Sequence, residues 1–176
     1  MSAAGNVRKA KTSRTDWQTP RILFEALDHQ FRFTLDAAAS DENHLCRRYL
    51  TEAENALVAD VFDERVFCNP PFGGTANVPW IDAFARWSAY GGCTVAAVLP
   101  NATDTGWYAR LYKTAHEIRL LEGRVPFVDP SNPDGESQNT GGTIVPIWYP
   151  GVRVAPAPSI YVCHWRRDAA MVAQSR

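Results

Sequence analysis

A short apolar segment that ends in an asparagine and two prolines constrains the fold of this chain most. Arg65–Cys68 has the β-branched and aromatic residues of a buried strand. Asn69 follows, and then Pro70 and Pro71, which lack N–H groups and restrict the backbone before them, so the strand ends here. In open α/β sheets, ligands bind at the carboxyl ends of parallel strands. The segment therefore predicts a strand whose end carries a stiff polar turn at a binding edge.

The remaining segments alternate between helical and strand patterns, which predicts an α/β fold with a largely parallel sheet. Thr19 is interpreted as the N-cap and Pro20 as the first residue of a helix over about 20–29. Further helices are predicted from Ser40, from 78–81 and around 107–112. Strands are predicted at 31–36, 49–50, 93–100, 116–121, 142–148 and 159–165, the last as an edge strand.

Composition fits one globular domain. The chain has 176 residues, of which 45% are hydrophobic and 21% charged. No apolar run reaches the length of a membrane span, and the N-terminus lacks the apolar core of a secretory signal. The four cysteines are scattered without a Cys-x-x-Cys motif, which favours buried thiols of a cytosolic protein over disulfides or a metal site.

Charge is distributed unevenly although the net charge is only -1. Residues 1–15 carry four basic residues and no acid, so we interpret them as a disordered basic arm ahead of a single domain over 16–176; the arm either follows phosphates or only aids solubility. Residues 128–141 are rich in Pro, Asn, Asp and Gly and are either a functional flap or an ordinary mobile loop. Arg166 and Arg167 are interpreted as part of a solvated end.

The residue types that follow Arg65–Cys68 indicate the kind of group that this site could bind. The side-chain oxygen of Asn69 and the fixed carbonyl of Pro70 could both accept hydrogens from one amino group. Phe72 offers a face on which a flat ring could stack. The site therefore resembles a receptor for an exocyclic amine on a planar heterocycle. The alternative is a strand end closed by a Pro-Pro turn, with Phe72 in the core.

Two further sets of polar residues follow predicted strands. Asp36 precedes small residues at a strand end, where its carboxylate could pair with a cationic amine or cap a helix. Beyond the 93–100 strand, three residues could contact a ligand at the same edge: Asn101, Asp104 and Thr105. Capping of the next helix by Thr103 or Asp104 is the competing explanation.

Asn69–Phe72 resembles the Asn/Asp-Pro-Pro-aromatic motif of S-adenosylmethionine-dependent amino-methyltransferases. The wider chain resembles the phage-type DNA N6-adenine methyltransferases, the phage Dam-like family, at residues 16–20, 35–40, 69–72, 79–81, 99–100 and 123–127. The resemblance implies a Rossmann-like methyltransferase fold with an antiparallel C-terminal hairpin. It implies S-adenosyl-L-methionine as cofactor, DNA as partner, no metal, and a phage protein in the bacterial cytoplasm that could shield DNA from restriction.

The resemblance also assigns site residues. The catalytic set is Asn69, Pro70, Pro71 and Phe72. The cofactor set is Trp17, Thr19, Pro20, Asp36, Ala37, Asn55, Asp60 and Asn69, with alanines at 37–39 in place of the usual glycines. The substrate set is Phe72, Asn101, Asp104, Thr105, Arg124 and Phe127.

The expected reaction is methyl transfer to N6 of adenine in DNA, flipped out or single-stranded, with short or relaxed sequence specificity. Two alternatives stay open: an amino-methyltransferase acting on protein glutamine or RNA, and a DNA-binding accessory protein with a decayed site. Cys68 would permit cytosine C5 chemistry only if it lay in the loop, and its place inside the strand argues against that reaction. Oligomeric state does not follow from the sequence.

Overall fold

The computed structural model describes residues 17–71, 77–130, 132, 139 and 141–174. Helices and strands alternate along most of this part of the chain. The helices are α1 (Arg21–Phe31), α2 (Asn77–Gly91), α3 (Gly106–Thr114) and α4 (Trp165–Gln174). The strands are β1 (Leu35–Asp36), β2 (Arg48–Tyr49), β3 (Arg65–Cys68), β4 (Thr94–Ala97), β5 (Leu99–Pro100), β6 (Glu117–Leu121), β7 (Thr143–Trp148) and β8 (Ser159–Cys163).

The strands form one mixed sheet in the order β2-β1-β3-β4-β7-β6-β8, with β5 also pairing with β7. Strands β2, β1, β3 and β4 are mutually parallel, and β7 runs antiparallel to both β4 and β6. The predicted α/β fold with a mostly parallel sheet is confirmed. The antiparallel hairpin consists of β6 and β7, whereas β8 pairs parallel to β6 and occupies the predicted edge.

Two apolar layers cover the sheet because successive side chains of a strand point to opposite faces. Val66 and Cys68 face the layer that contains α2 and α3, while Phe67 between them faces α1. The α2–α3 layer includes Trp80, Ile81, Phe84, Trp87 and Leu111. The other layer includes Leu23, Phe24, Leu27, Phe31 and Trp165, which brings α4 onto the same face as α1.

The predicted strand over 31–36 and the predicted helix from Ser40 are wrong. The 31–36 strand shrinks to Leu35–Asp36, because α1 continues through Phe31 and Arg32 then adopts a left-handed conformation with φ 53°. Ser40 opens a turn rather than a helix: its hydroxyl and carbonyl are engaged by Glu42 and Asn43 within the turn. The side chains of Arg166 and Arg167 are exposed, as expected of a solvated end, although both residues lie in α4, a helix that was not predicted.

No helix in the described ranges is long and apolar enough to cross a membrane. The basic arm of residues 1–15 lies outside the described residues, as does most of the 128–141 loop: positions 131, 133–138 and 140.

Candidate active site

The carboxyl ends of β1, β3 and β4 meet at one edge of the sheet. The backbone pairing continues just beyond each strand: Ala37 donates to the carbonyl of Phe67 at 2.9 Å, and Val98 donates to that of Cys68 at 2.8 Å. The polar residues that follow these strands therefore leave the sheet side by side, as parallel strands require.

Asn69 is the central polar group of this edge. Its Nδ2 donates to the backbone carbonyl of Trp17 at 2.7 Å. Its Oδ1 is buried and has no hydrogen-bond partner among the described residues. Pro70 is buried and Pro71 exposed, while Phe72 lies outside the described residues. The turn thus presents a buried acceptor oxygen that no described residue bonds.

The segment before α1 lies against the same site. Gln18 and Val128 form an isolated antiparallel bridge, with hydrogen bonds of 2.9 and 3.0 Å. Thr19 is only 8% exposed, and its Oγ1 has no partner within the described part of the chain. The prediction that Thr19 caps α1 is wrong, because the helix begins at Arg21 with Pro20 in the N-cap position and no side chain caps it. Thr19 therefore holds a second unpaired buried oxygen.

Asp36 is buried at the end of β1, where it is 3% exposed. Its carboxylate accepts hydrogen bonds from the backbone N–H of Leu45 at 3.1 Å and of Ala38 at 3.4 Å. Burial raises the pKa of Asp36, and the two N–H bonds and the charge of His44 only partly offset that increase. Asp36 caps none of the described α-helices; its carboxylate instead ties the end of β1 to the loop that follows.

Of the other predicted cofactor residues, Ala37 belongs to this edge and is fully buried. Asn55 is exposed in a turn with φ 49°, and its N–H donates to Thr51 and Glu52. Asp60 is exposed next to Ala59, whose carbonyl accepts from the indole of Trp87 far along α2. No hydrogen bond given by the structure joins Asn55 or Asp60 to the group around Asn69.

Asn101 and Arg124 come together against Gly142. The backbone N–H of Asn101 donates to the Gly142 carbonyl at 2.9 Å. A Cβ built on Gly142 would lie 3.2 Å from Asn101 Cβ and 3.6 Å from Arg124 Nη1. A cationic guanidinium and an exposed amide therefore stand beside each other at the start of β7, on the edge that carries Asn69.

The other predicted substrate residues have local roles or lie at the surface. Thr105 is the N-cap of α3: its hydroxyl donates to Ala102 at 2.8 Å and accepts from Tyr108 N–H at 3.3 Å. Capping was expected, but from Thr103 or Asp104. Asp104 is exposed, and Phe127 is buried in the layer beneath α1.

Asn77 escaped the sequence reasoning. It begins α2 directly after the Pro-Pro turn region, is 3% exposed, and its Oδ1 has no partner among the described residues. The available signal was a polar residue immediately ahead of the apolar stripe of α2, which is easily interpreted as an ordinary helix start.

Cys68 is unsuited to nucleophilic attack. It is completely buried, and burial together with the negative charge of Asp36 raises its pKa well above the ordinary thiol range. A neutral buried thiol cannot add to a ring. The described ranges also contain no cluster of three His, Cys, Asp or Glu side chains arranged to hold a metal ion.

Comparison with known proteins agrees with this geometry. The family model described as DNA N-6-adenine-methyltransferase (Dam) matches residues 6–171. A protein named DNA N-6-adenine-methyltransferase from Escherichia phage T1 is 27% identical over 111 residues, which cover 60% of this chain and 44% of that relative. The matched region thus spans less than half the length of the phage protein. Because the family match extends over nearly the whole sequence, the chain belongs to the DNA N-6-adenine-methyltransferase (Dam) family.

Proposed function

We propose that this protein transfers a methyl group from S-adenosyl-L-methionine to the N6 amino group of adenine in DNA. The observation that carries the proposal is the Asn69 side chain, whose Nδ2 is held by Trp17 while its buried Oδ1 has no partner among the described residues. An unpaired buried acceptor costs about 1–3 kcal/mol, so its retention at the edge where ligands bind favours a donor supplied by substrate.

The chemistry follows from two fixed acceptors. Asn69 Oδ1 and the Pro70 carbonyl would each accept one hydrogen of the target amino group. Acceptors of this kind orient the nitrogen lone pair and stabilise the positive charge that develops on nitrogen as the new bond forms. S-adenosylmethionine would supply the methyl group as an activated sulfonium. Phe72 would stack on the base and hold the line of attack.

The residues around α1 fit the methionine end of this cofactor. The orphaned hydroxyl of Thr19 offers a donor and an acceptor, beside Trp17 and Pro20. Each oxygen of Asp36 accepts one backbone N–H and retains capacity for a cationic amine. Ala37 leaves room for close approach. Asn55 and Asp60 complete the proposed cofactor set, toward the adenosine end.

The sheet order supports a Rossmann-like methyltransferase fold for the domain over 16–176. Its parallel strands converge on the candidate site, and β7 runs antiparallel between β4 and β6. The basic arm of residues 1–15 would follow phosphates outside the domain.

On the substrate side, the base would be flipped out of a duplex or taken from a single strand. Arg124 and Asn101, which both lie close to Gly142, would contact phosphate or base. Asp104, Thr105 and Phe127 complete the proposed substrate set. We propose that the sequence specificity is short or relaxed. In a phage, such methylation would shield DNA from restriction in the bacterial cytoplasm.

The test uses purified protein, unmethylated DNA and methyl-labelled S-adenosylmethionine, with the product digested to nucleosides and identified by mass. Asn69→Ala is run beside Asn43→Ala, which removes an amide whose Oδ1 accepts from the Ser40 N–H in a turn. We expect N6-methyladenosine from wild type and Asn43→Ala, and none from Asn69→Ala.

Other outcomes separate the alternatives. Cofactor binding without label on DNA would favour a protein glutamine or RNA acceptor. Absence of both label and cofactor binding would favour a decayed site in a DNA-binding protein. Label on cytosine would overturn the proposal outright.

A further inference from the structure

The first residues of α4 hold the turn that follows β6. Trp165 Nε1 donates to the Glu122 carbonyl at 3.1 Å. Arg166 spans the turn, with Nη1 donating to the Glu122 carbonyl at 3.2 Å and Nη2 to the Arg124 carbonyl at 2.5 Å. The Arg166 guanidinium lies 4.5 Å from the centre of the Trp165 ring. One cation thus fixes both ends of a three-residue turn.

The turn is shaped around this guanidinium. Gly123, its middle residue, has φ +73°, and a Cβ built there would lie 2.6 Å from Arg166 Nη1. A side chain at this position would therefore displace Arg166 as well as strain the backbone. The same turn receives a further contact from α4's side of the chain, where His164 Nδ1 pairs with Glu122 at 2.5 Å.

The turn leads directly into the candidate site. The guanidinium of Arg124, its last residue, lies close to Gly142, where Nη1 is 3.6 Å from the position of a Cβ. Four residues later Val128 bridges Gln18, the neighbour of the Trp17 that holds Asn69. Arg166 therefore holds the backbone from which the exposed Arg124 side chain extends at the substrate edge.

We propose that Arg166 is a positioning residue for DNA: by holding the Glu122–Arg124 turn, it places the Arg124 guanidinium against the DNA backbone. The inference rests on the proposed function, which supplies DNA as the substrate. Arg166 acts through Arg124, because both of its Nη groups are already engaged by carbonyl oxygens of the turn. Its contribution is to DNA affinity, while Asn69 and Thr19 carry the chemistry and the cofactor.

If Arg166 only stabilised the fold, its removal would have a different effect from the one expected of a positioning residue. Helix α4 is anchored independently of Arg166 by Trp165, which is 2% exposed, and by Ala169, which is 5% exposed. Loss of the exposed Arg166 side chain should therefore leave the fold in place. If Arg166 served stability alone, its removal would lower the melting temperature without a selective effect on DNA.

The experiment compares Arg166→Gln with Arg167→Gln, its neighbour on α4, which gives the same loss of charge without the two carbonyl contacts. We measure kcat, KM for DNA, KM for S-adenosylmethionine, and DNA affinity by fluorescence anisotropy of a labelled duplex at several salt concentrations. For Arg166→Gln we expect about a tenfold rise in KM and Kd for DNA, the scale of one lost charged contact. The salt slope of log Kd should fall by about 1, with kcat and cofactor KM unchanged.

A double-mutant cycle tests whether Arg166 acts through Arg124. In an Arg124→Gln background, Arg166→Gln should add nothing to the loss of DNA affinity, since the positioned group is already gone. Full additivity would overturn the inference in favour of a direct contact between Arg166 and DNA.

Gly123→Ala displaces Arg166 without altering it. Gly151→Ala is the matched control, because Gly151 also has a positive φ, +94°, but no atom within 4 Å of its built Cβ. We expect Gly123→Ala to reproduce the DNA defect of Arg166→Gln and Gly151→Ala to show only a loss of stability. If the wild-type protein binds and methylates DNA and Arg166→Gln has the same DNA affinity as the wild type, this inference alone is overturned. Wild type that neither binds nor methylates DNA would overturn the proposed function and this inference together.

Discussion

Asn69 donates its side-chain N–H to the carbonyl of Trp17 at 2.7 Å, across 52 positions of sequence. This bond determines how the amide is turned, because the nitrogen faces the Trp17 carbonyl and the oxygen points away from it. The acceptor is therefore oriented before any substrate arrives, which is the condition for electrostatic stabilisation without reorganisation.

Asn69→Asp should impair the enzyme even though related motifs carry Asp. The carboxylate cannot donate to the Trp17 carbonyl, and the two oxygens would repel each other. We expect methyl transfer to fall at least about tenfold, the scale of one hydrogen bond to a fixed partner. Asn43→Asp is the control, since Asn43 uses its Oδ1 to accept from Ser40 and an Asp keeps that bond. Equal activity of Asn69→Asp and wild type would contradict the assigned role of the Trp17 bond.

Thr19→Val should separate binding from stability. The change removes a buried hydroxyl that has no partner among the described residues and keeps its volume, so thermal stability should be unchanged or higher. Calorimetric affinity for S-adenosylmethionine should fall about tenfold if the hydroxyl contacts the cofactor.

The control for Thr19→Val is Thr114→Val. Thr114 Oγ1 accepts from Trp148 Nε1 at 3.2 Å, so its loss should lower the melting temperature and spare cofactor binding. Unaltered cofactor affinity in Thr19→Val would exclude Thr19 from the cofactor site.

Asp36 should make cofactor binding dependent on pH. Burial raises its pKa, so on acidification the carboxylate is lost at a higher pH than an ordinary Asp, whose pKa is about 3.9. Wild-type affinity for S-adenosylmethionine should therefore decline as pH falls through this raised pKa, whereas Asp36→Asn should bind weakly and show no such decline. Titration calorimetry across acidic pH gives both curves. Asp28→Asn, which keeps the oxygen that accepts from Phe33, should follow wild type.

Glu117 should govern stability at acidic pH from the opposite end of the sheet. It is 9% exposed and accepts hydrogen bonds from Arg119 Nε at 2.5 Å, from Tyr149 at 2.9 Å and from Tyr161. Burial raises its pKa, but the bonds from Tyr161, Arg119 and Tyr149 and the charge of Arg119 outweigh burial and leave the pKa lowered. A lowered pKa stabilises the fold above the unfolded value of about 4.3, and this contribution disappears as pH falls through the folded pKa.

Glu117→Gln should accordingly cost about 3–5 kcal/mol near neutral pH, because it leaves Arg119 buried without a counter-charge. The difference from wild type in urea unfolding should shrink below about pH 4. Asp82→Asn breaks the exposed pair with Arg110 and should cost at most about 1 kcal/mol. A loss in Glu117→Gln no greater than that of Asp82→Asn would refute the buried pair as a source of stability.

Local patterns were sufficient to predict the elements that carry the site. β3 occupies Arg65–Cys68 as expected, and α1 begins within one residue of its predicted start, because apolar periodicity and proline act within a few positions of each other. The run at 93–100 forms two strands, β4 and β5, and the N–H of Val98 between them still donates to the Cys68 carbonyl of β3.

Contacts between distant segments could not be predicted. Three hydrogen bonds join residues that only the folded sheet brings together. Leu45 N–H donates to Asp36, Asn69 donates to the Trp17 carbonyl, and Arg166 donates to the Arg124 carbonyl. Helix α4 was missed for a related reason: its first residue, Trp165, extends the strand-like run 159–165, and only burial against α1 distinguishes a helix there.

Because β7 is antiparallel to its neighbours, the loops before and after it lie at opposite edges of the sheet. The chain between β6 and β7 leaves and re-enters the sheet at the edge that carries Asn69, whereas the chain between β7 and β8 turns at the other edge. Extra length in the first loop would enlarge the surface offered to a macromolecule without touching the core. A peptide tag or fluorophore placed at 152–157 would instead project away from that surface and report on the protein without obstructing it.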